Sequence, residues 1–317
     1  MTLATAVEPR ERQGLLGQFL TSAPVADFMA SMFGPLPSVV RLLDAGAGAG
    51  ALTEAFVSRV IENHSGVRAI DATLYEIDAH ILDDLSATLR NCERRAEVAG
   101  IRFTFTIRSA DFIQEMSARL AGDFFATPPH SFDAAIANPP YRKIGTDSTE
   151  RRALRSIGVE TSNLYTAFIA VIQRLLAPGG QLVGITPRSF CNGPYFRPFR
   201  EDFLASLELR RLHVFESRQA AFRDDSVLQE NIIFHAAKGQ RQPRELVISS
   251  SSGERGGEIT ETVFSFTEIV RPNDAEKFIH IPSSASHSLA KAAMDGLGAS
   301  LASLGVTVST GRVVDFR

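Results

Sequence analysis

The amino-acid sequence predicts an α/β protein in which helices cover both faces of a mostly parallel β-sheet. Residues 39–63 read in succession as a strand, a glycine-rich loop and a helix, which is the first unit of a doubly wound sheet. Strand-like and helix-like segments then alternate as far as residue 215. A last apolar run at 228–236 follows too soon for a crossover helix, so we expect it to be an antiparallel seventh strand.

Length and composition are those of an ordinary globular chain. The 317 residues are 44% hydrophobic and 22% charged, which is enough for one large domain or two. Cys92 and Cys191 are far apart and fit no metal-ligand spacing, and no signal peptide precedes them, so we expect a cytoplasmic protein without a metal site. No apolar run approaches the roughly 18–20 residues that span a bilayer. Because the net charge is only −3, any nucleic-acid-binding surface must be local.

The segment 14–22 leads into a predicted helix that begins at residue 23, with Thr21 or Ser22 as its cap. Pro24 suits the first turn of a helix, and the apolar residues that follow it repeat at helical spacing. One interpretation is a helix that closes the core. The other gives the segment before it a role at a ligand site.

The loop after the first strand runs from Asp44 to Gly50 and has the pattern D-x-G-x-G-x-G. Glycines such as Gly46 and Gly48 let the backbone approach a ligand closely. A G-x-G-x-x-G pattern would indicate a dinucleotide, whereas an acid at the strand end can meet an ammonium group or a water. We therefore expect this loop to contact a nucleoside that carries an amino acid; the alternative is a plain glycine-rich turn.

Acidic residues follow the second and third strands. Glu76 comes directly after the strand predicted at 69–75, at the place where this fold binds ribose hydroxyls. Asp111 and Phe112 follow the alternating strand at 101–107. There Asp111 would accept a hydrogen bond from the exocyclic amine of the nucleoside base, and Phe112 would pack on its ring. The alternatives are a solvated acid in the first case, and a helix cap followed by a core phenylalanine in the second.

The most informative motif, Asn138-Pro139-Pro140-Tyr141, follows an apolar run at 132–137 that reads as a buried strand. The Asn138 side-chain oxygen and the Pro139 carbonyl can each accept an N–H from a planar amine. Pro140 supplies no competing N–H, and the proline rings fix φ so that the acceptors point outward. Tyr141 offers a flat face for stacking. The motif suits holding an amine against an electrophile; the alternative is a strand followed by a proline turn.

A basic segment and further elements follow this motif. Residues 142–155 read as a polar, basic loop that is either solvated or placed to contact phosphate. The remaining pattern predicts a helix at 163–176, a strand at 181–186, a helix at 195–207 and a strand at 209–215. The loop before the seventh strand would carry Phe222 toward Tyr141, either as a second aromatic against a base or as a core residue.

The pattern of a compact domain ends near residue 238. Residues 249–257 are rich in serine and glycine and read as a flexible linker, followed by a strand at 259–266 and a helix at about 286–304. We predict a catalytic domain at 1–240 and a separate region at 241–317.

The motifs, in this order, resemble those of gamma-type adenine-N6 DNA methyltransferases of restriction-modification systems. The resemblance covers about residues 14–236 and is carried by Gly17-Gln18-Phe19-Leu20-Thr21, Asp44 to Gly50, Tyr75-Glu76-Ile77-Asp78, Asp111-Phe112, Asn138-Pro139-Pro140-Tyr141 and the Phe222 loop. Release-factor glutamine methyltransferases and some guanine-N2 RNA methyltransferases share the Asn-Pro-Pro-Tyr motif, whereas the Gly-Gln-Phe-x-Thr segment favours the DNA enzymes. The resemblance implies a Rossmann-like class I methyltransferase fold with seven strands.

The same resemblance implies S-adenosylmethionine as the methyl donor. Thr21 and the glycine loop with Asp44, Gly46 and Gly48 would hold its methionine end. Its ribose would contact Glu76, and its adenine would contact Asp111 and Phe112.

The implied substrate is duplex DNA with the target adenine rotated out of the stack. Asn138 and the Pro139 carbonyl would accept its two N6 hydrogens, and Tyr141 and Phe222 would enclose its ring. Positioning and electrostatics would then suffice, without a metal.

Partners and two other functions stay open. Enzymes of this family place a target-recognition domain after the catalytic domain, and residues 241–317 are expected to be a linker and the start of an incomplete one. Either the chain is a fragment or another subunit recognises the sequence, and a cognate restriction endonuclease is a further candidate partner. The other functions are a protein glutamine N5-methyltransferase and a non-catalytic, cofactor-binding specificity subunit.

Overall fold

The computed structural model describes residues 21–63, 66–122, 131–215, 230–239, 241–251, 258–282 and 302–306. The chain forms two compact units, Met1–Ile279 and His280–Arg317. The first contains the sheet and the helices packed on it. In the second, the described part includes one turn of 3₁₀ helix, Ala302–Leu304.

The described residues of the first unit form a sheet of nine strands. In chain order the strands are β1 Val39–Ala45, β2 Ala69–Tyr75, β3 Arg102–Arg108, β4 Phe132–Ala137, β5 Leu176–Pro187, β6 Leu207–Phe215, β7 Asn231–Lys238, β8 Glu245–Ser251 and β9 Ile259–Ser265. Their order across the sheet is β3-β2-β1-β4-β5-β7-β6-β8-β9. Strands β1 to β5 are mutually parallel, which brings the loops at their carboxyl ends to one edge.

Strand β7 is antiparallel to both of its neighbours, β5 and β6, as the short connection predicted. The prediction of seven strands was wrong by two. Strand β8 pairs in parallel with β6, and β9 pairs antiparallel with β8, so the sheet continues beyond residue 240. The serines of β8 are not typical of a strand, so its sequence did not predict one. Leu246 and Ile248 are nevertheless buried in the core, with 0% and 6% of their surface exposed.

Helices connect the strands. They are α1 Ala23–Ser31, α2 Ala51–Asn63, α3 Leu82–Val98, α4 Phe112–Ala121, α5 Thr149–Ser156, α6 Leu164–Leu175, α7 Ser189–Asn192, α8 Arg197–Ser206 and α9 Phe266–Ile269. Helices α1, α2 and α3 pack side by side, and α4, α5, α6 and α8 form a second packed group. Because helices lie over both faces of the sheet, the central strands carry nearly continuous apolar runs rather than alternating ones.

The basic segment after Tyr141 is partly helical, which corrects its interpretation as a loop. Helix α5 begins after Ser148, whose side chain accepts a hydrogen bond from the Arg151 backbone N–H at 3.2 Å. Four of its eight residues are charged, and only Leu154 is buried, so the helix lacks the apolar periodicity that reveals a helix in a sequence.

The predicted helix near the N-terminus closes the core. Met29 of α1 is fully buried, and Phe33, just after the helix, packs edge-to-face on Phe56 of α2 at 5.0 Å between ring centroids. Gln181 of β5 fixes the chain beyond this point, because its Oε1 accepts from the Gly34 N–H at 2.8 Å and its Nε2 donates to the Pro35 carbonyl at 2.9 Å.

Within the described ranges, no helix combines the length and the apolar character needed to cross a membrane.

Candidate active site

A cavity lies at the edge of the sheet where strands β1 to β4 end. Its wall includes residues from the loops after all four strands and from helix α6: Gly46, Gly48, Glu76, Ile77, Ile81, Ala110, Asp111, Phe112, Ile113, Asn138, Pro140, Arg142, Glu150, Leu164 and Phe168. Seven predicted site residues are in this set, namely Gly46, Gly48, Glu76, Asp111, Phe112, Asn138 and Pro140. Ligands of doubly wound folds bind at this edge.

The glycine loop is held against the end of β2. The N–H groups of Gly46 and Ala47 both donate to the Tyr75 carbonyl at 2.9 Å. Gly46 and Gly48 have φ values of 80° and 57°, in the left-handed region where a side chain costs free energy. The pattern of glycines in the sequence therefore reflects this backbone as well as access for a ligand.

Glu76 links the loops after β1 and β2. Its Oε2 accepts a hydrogen bond from the Gly48 N–H at 2.9 Å, and its Oε1 accepts one from the Asp78 N–H at 2.7 Å. The side chain is only 2% exposed, yet it lines the cavity. The carboxylate is thus held in one orientation at the wall.

Asp44 lies beneath the loop rather than in the cavity wall. It is fully buried, and its Oδ2 accepts from the Thr53 hydroxyl at 2.7 Å. Its Oδ1 has no hydrogen-bond partner among the described residues. Burial raises the pKa of Asp44 to about 7; the Thr53 hydroxyl acts in the opposite direction, and the charge of Glu76 raises the pKa further.

Asp111 and Phe112 line the cavity and also have structural roles, as a helix cap and a core residue. Asp111 caps helix α4, with its Oδ1 accepting from the Gln114 N–H at 2.9 Å. Phe112 is 3% exposed and lies 5.1 Å, between centroids, from both Tyr75 and Phe168. The helix cap and core phenylalanine considered as an alternative are therefore present, in residues that also line the cavity.

Asn138 lies at the end of β4 and is held on both sides. Its Nδ2 donates to the Thr21 hydroxyl at 3.0 Å, and its Oδ1 accepts from the Tyr141 hydroxyl at 3.0 Å. Pro139 is buried, and Pro140 lines the cavity. The structure places Thr21 on the motif side chain itself, whereas the resemblance had implied contact with the cofactor.

The Tyr141 ring belongs to a row of aromatic side chains that leads away from the cavity. It meets Tyr165 edge-to-face at 6.2 Å, and Tyr165 in turn lies 5.8 Å from Phe196. The Tyr165 hydroxyl is 3.0 Å from that of Ser189, the first residue of the short helix α7 that follows β5. The predicted second aromatic of the base pocket, Phe222, lies outside the described residues.

Several residues of the cavity wall were not predicted from the sequence. Ile77 is 54% exposed, although it is apolar, and it adjoins Glu76 at the end of β2. Because Ile77 directly follows the predicted ligand residue Glu76, the sequence could have indicated that it lines the cavity. Leu164 and Phe168 come from helix α6, and no local pattern distinguishes them from ordinary core residues.

Three of the basic residues after Tyr141 are paired with acids. Arg142 and Glu150, both in the cavity wall, are 3.4 Å apart. Arg151 and Arg155 both pair with Glu160. Phosphate contact by this segment therefore stays a prediction, and any such contact competes with these ion pairs. Among the described residues, no group of three potential metal ligands is present.

Comparison with known sequences agrees with this geometry. Residues 70–222 match the model of the Eco57I restriction-modification methylase family. The chain is 42% identical over 304 residues to the Type II methyltransferase M.PstI of Providencia stuartii and 42% identical over 305 residues to M.BsuBI of Bacillus subtilis. Each alignment covers 95% of this chain and 59% of the relative.

The chain is therefore similar in sequence to restriction-modification methylases. This confirms the predicted resemblance to methyltransferases of restriction-modification systems. The chain spans about three fifths of the length of those two methylases. It is also 30% identical over 154 residues to a tRNA1(Val) (adenine(37)-N6)-methyltransferase of Shewanella sediminis, an alignment that covers 48% of this chain and 54% of the relative.

Solved structures confirm the class I methyltransferase fold. A class I S-adenosylmethionine-dependent methyltransferase from Listeria monocytogenes aligns with a TM-score of 0.55 at 14% identity, over 78% of this chain and 68% of that one. The methyltransferase subunit of a type I restriction-modification system from Streptococcus thermophilus aligns with a TM-score of 0.59 at 17% identity, over 84% and 61%. At these identities the likeness concerns the fold alone.

Proposed function

We propose that this protein transfers a methyl group from S-adenosylmethionine to the N6 atom of an adenine in duplex DNA, as part of a restriction-modification system. The observation that carries the proposal is the position of Asn138 to Tyr141 at the end of β4, beside a cavity that presents Glu76 and Asp111. The Type II methyltransferases among the relatives support the DNA substrate.

The cavity residues fit S-adenosylmethionine. The Glu76 carboxylate suits two ribose hydroxyls, and Asp111 suits the exocyclic amine of an adenine. The exposed side chain of Ile77 and the buried Phe112 offer apolar surface to a flat ring. The Gly46 and Gly48 backbone leaves room for the methionine part, and the unpartnered Oδ1 of Asp44 is a buried acceptor next to that loop. When bound, the cofactor supplies an electrophilic methyl group.

In the proposed mechanism, the motif at the end of β4 positions the target amine. The adenine leaves the base stack, since its N6 is out of reach inside a duplex. Asn138 Oδ1 has a second lone pair beyond the one that accepts from Tyr141, and the Pro139 carbonyl is the other acceptor. Together they would bind both N6 hydrogens, direct the nitrogen lone pair at the methyl group and stabilise the charge that develops on nitrogen. The N6 proton then passes to water.

These two acceptors favour an exocyclic amine, and among such amines we propose adenine N6. An exocyclic amine that donates two hydrogens matches two acceptors at adjacent residues. The tRNA1(Val) methyltransferase among the relatives acts on adenine N6 by name, and its alignment covers about half of this chain.

Sequence recognition and partners are part of the proposal. The chain spans only part of its DNA methyltransferase relatives. We infer that recognition of a DNA sequence requires protein surface in addition to the catalytic unit, either from the region that begins near residue 241 or from another subunit. A restriction endonuclease of the same specificity is the expected partner in the cell.

The test is methyl transfer from isotope-labelled S-adenosylmethionine to mixed duplex DNA, followed by digestion to nucleosides and mass analysis. We expect labelled N6-methyladenine with the unchanged protein and none with Asn138→Ala. Asn63→Ala is the matched control, because this exposed asparagine at the end of α2 bonds only locally, to the Arg59 carbonyl. Label in a cytosine, or only in a glutamine-containing peptide, would contradict the proposal.

A further inference from the structure

The candidate site has two sides, separated by strand β4. The cavity that fits the cofactor is lined by the loops after β1, β2, β3 and β4 and by helix α6. Strand β5 lies on the other side of β4. The segment 188–196 that follows β5 contains α7 and the 3₁₀ turn Pro194–Phe196, is called the loop after β5, and holds Ser189 against Tyr165. This second loop is therefore linked to Tyr141 through Tyr165, on the side of β4 away from the cofactor cavity. In the proposed function, this side is left for the target base and its strand.

The loop after β5 presents one large aromatic side chain to solvent. Tyr195 is 86% exposed, whereas Phe196, the next residue, is buried and ends the aromatic row that starts at Tyr141. An isolated exposed aromatic residue is common on protein surfaces. What distinguishes Tyr195 is its position and the rigidity of its support.

The buried guanidinium of Arg200 holds the loop after β5 in place. Arg200 is fully buried, and its Nη1 donates to the carbonyls of Phe190 and Gly193 at 3.0 and 2.7 Å. Its Nε donates to the Glu276 carbonyl at 2.9 Å, and its guanidinium lies 4.8 Å from the centre of the Phe278 ring. Arg200 Nη2 has no hydrogen bond among the described residues and lies 3.7 Å from Glu276 Oε2. The hydrogen bonds of Nη1 and Nε therefore hold the loop against the chain near Glu276.

Close packing adds to this rigidity. The Gly193 N–H donates to the Ser189 carbonyl at 2.8 Å, and the Phe196 N–H donates to the Gly193 carbonyl at 3.2 Å. A Cβ atom at Gly193 would lie 2.7 Å from the Phe196 ring and 2.7 Å from the Ser189 carbonyl oxygen. Pro194 precedes Tyr195 and restricts the backbone further. The exposed ring is therefore presented without the entropy loss that ordering a mobile loop would require.

From these observations we infer that Tyr195 is a DNA-contacting residue that stacks its ring on a base beside the target adenine. The inference rests on the proposed function and extends it to a binding residue. An aromatic ring stacks on any base, so Tyr195 contributes affinity rather than sequence preference. It does not touch the cofactor, because it is absent from the wall of the cofactor cavity.

The experiment compares Tyr195→Ala, Tyr195→Phe and the control Val98→Ala, using a labelled duplex that the unchanged protein methylates. Val98 is 91% exposed at the end of α3, at the opposite edge of the sheet. Fluorescence anisotropy gives the dissociation constant for the duplex, calorimetry gives that for S-adenosylhomocysteine, and initial rates give KM and kcat.

We expect Tyr195→Ala to weaken DNA binding and raise KM by roughly 5- to 150-fold, the equivalent of one base stacked on one aromatic ring. Tyr195→Phe should behave like the unchanged protein, since the ring is kept. The salt dependence of binding should be the same in all variants, because no phosphate contact is lost. Melting temperature, kcat and affinity for S-adenosylhomocysteine should not change, which separates a DNA contact from a structural role.

Unchanged DNA affinity in Tyr195→Ala, with methylation of DNA by the unchanged protein, would overturn this inference and leave the proposed function in place. A change in oligomeric state by light scattering without a change in DNA affinity would overturn it as well, in favour of a contact between protein chains. If the unchanged protein neither binds nor methylates DNA, the proposed function fails, and this inference fails with it.

Discussion

The side-chain amide of Asn138 donates a hydrogen bond to the Thr21 hydroxyl at 3.0 Å, across 117 residues of the chain. The same amide accepts a hydrogen bond from the Tyr141 hydroxyl at its Oδ1. With its nitrogen directed at Thr21, the amide keeps its oxygen on the side of Tyr141, where the target amine is proposed to bind. Thr21 is therefore a positioning residue for Asn138 in the proposed mechanism.

Thr21→Val should lower kcat for DNA methylation by about tenfold. The substitution keeps the shape of the side chain but removes the acceptor for Asn138 Nδ2. One hydrogen bond contributes about 0.5–1.5 kcal/mol, and a tenfold loss lies near the upper end of that range. Thr21→Ser restores the hydroxyl and should restore kcat. Single-turnover rates with saturating cofactor measure the effect. If Thr21→Val instead weakened only cofactor binding, with kcat unchanged, the contact of Thr21 with the cofactor implied by the resemblance would be the better account.

Glu76→Gln should weaken binding of S-adenosylhomocysteine by roughly 10- to 100-fold, measured by calorimetry. Both carboxylate oxygens of Glu76 accept backbone N–H groups, from Gly48 and Asp78. A glutamine would direct its NH₂ group at one of these donors, and hydrogen bonds to a charged acceptor contribute about 1.5–3 kcal/mol. Glu54→Gln, on the exposed pair with Arg95, is the control. Equal affinities in the two variants would exclude Glu76 from the cofactor site.

Asp44→Asn should stabilise the protein increasingly as the pH rises from about 4 to about 7. The ordinary pKa of an aspartate is near 4, and burial raises that of Asp44 to about 7 in the folded state. In this interval the folded state keeps the proton that the unfolded state loses, so the unchanged protein loses stability as the pH rises. Asparagine does not ionise, so the variant does not lose stability in this way. The difference in the free energy of unfolding between the variant and the unchanged protein should reach roughly 2–4 kcal/mol near pH 7.

Denaturant unfolding of the ligand-free protein at several pH values measures this difference. Asp27→Asn, on the exposed side of α1, controls for the general loss of a negative charge. A constant difference between Asp44→Asn and the unchanged protein across this range would show that Asp44 does not carry a raised pKa.

Histidine 213 should have the opposite pH dependence. His213 is 1% exposed, with its ring nitrogens 2.9 and 3.1 Å from the hydroxyls of Ser249 and Ser251. Burial and the charge of Arg211 lower its pKa to about 4. Below about pH 6.5 the unfolded state binds a proton that the folded state does not, so stability is lost as the pH falls toward 4.

His213→Gln should reduce the loss of stability between about pH 6.5 and pH 4. His80 is exposed, and His80→Gln is the matched control, which should lose stability at acid pH as the unchanged protein does. Acid unfolding followed by circular dichroism compares the two variants. An identical acid midpoint in His213→Gln and His80→Gln would contradict the assignment.

The apolar runs of the sequence were sufficient to predict the central strands. Residues 69–75 were predicted as a strand and form β2 with the same bounds, and β1, β3 and β4 lie within two residues of their predicted positions. Strands β1, β2 and β4 are mostly buried on both faces, so their apolar composition carries a strong signal, whereas the edge strand β3 was recognised by its alternation. Strands β8 and β9 extend the sheet at its far edge, and the division at residue 240/241 into a catalytic and a recognition part stays a prediction about function.

The sequence also specified where the candidate site would be. Glycines, acids and the Asn138 motif each follow a strand, and parallel strands bring their carboxyl ends to one edge, so Glu76, Asp111 and Asn138 had to converge. This part of the site needed no knowledge of side-chain contacts, because backbone topology alone defines it.

Side-chain contacts between distant segments required the folded structure. The hydrogen bond from Asn138 to Thr21, the burial of Asp44 beneath its loop and the support of the Tyr195 loop by Arg200 each depend on how helices pack on the sheet. Periodicity and motif spacing report which residues share an element or an edge. They carry no information on which side chains meet across elements, since that depends on register, rotamer and packing throughout the unit.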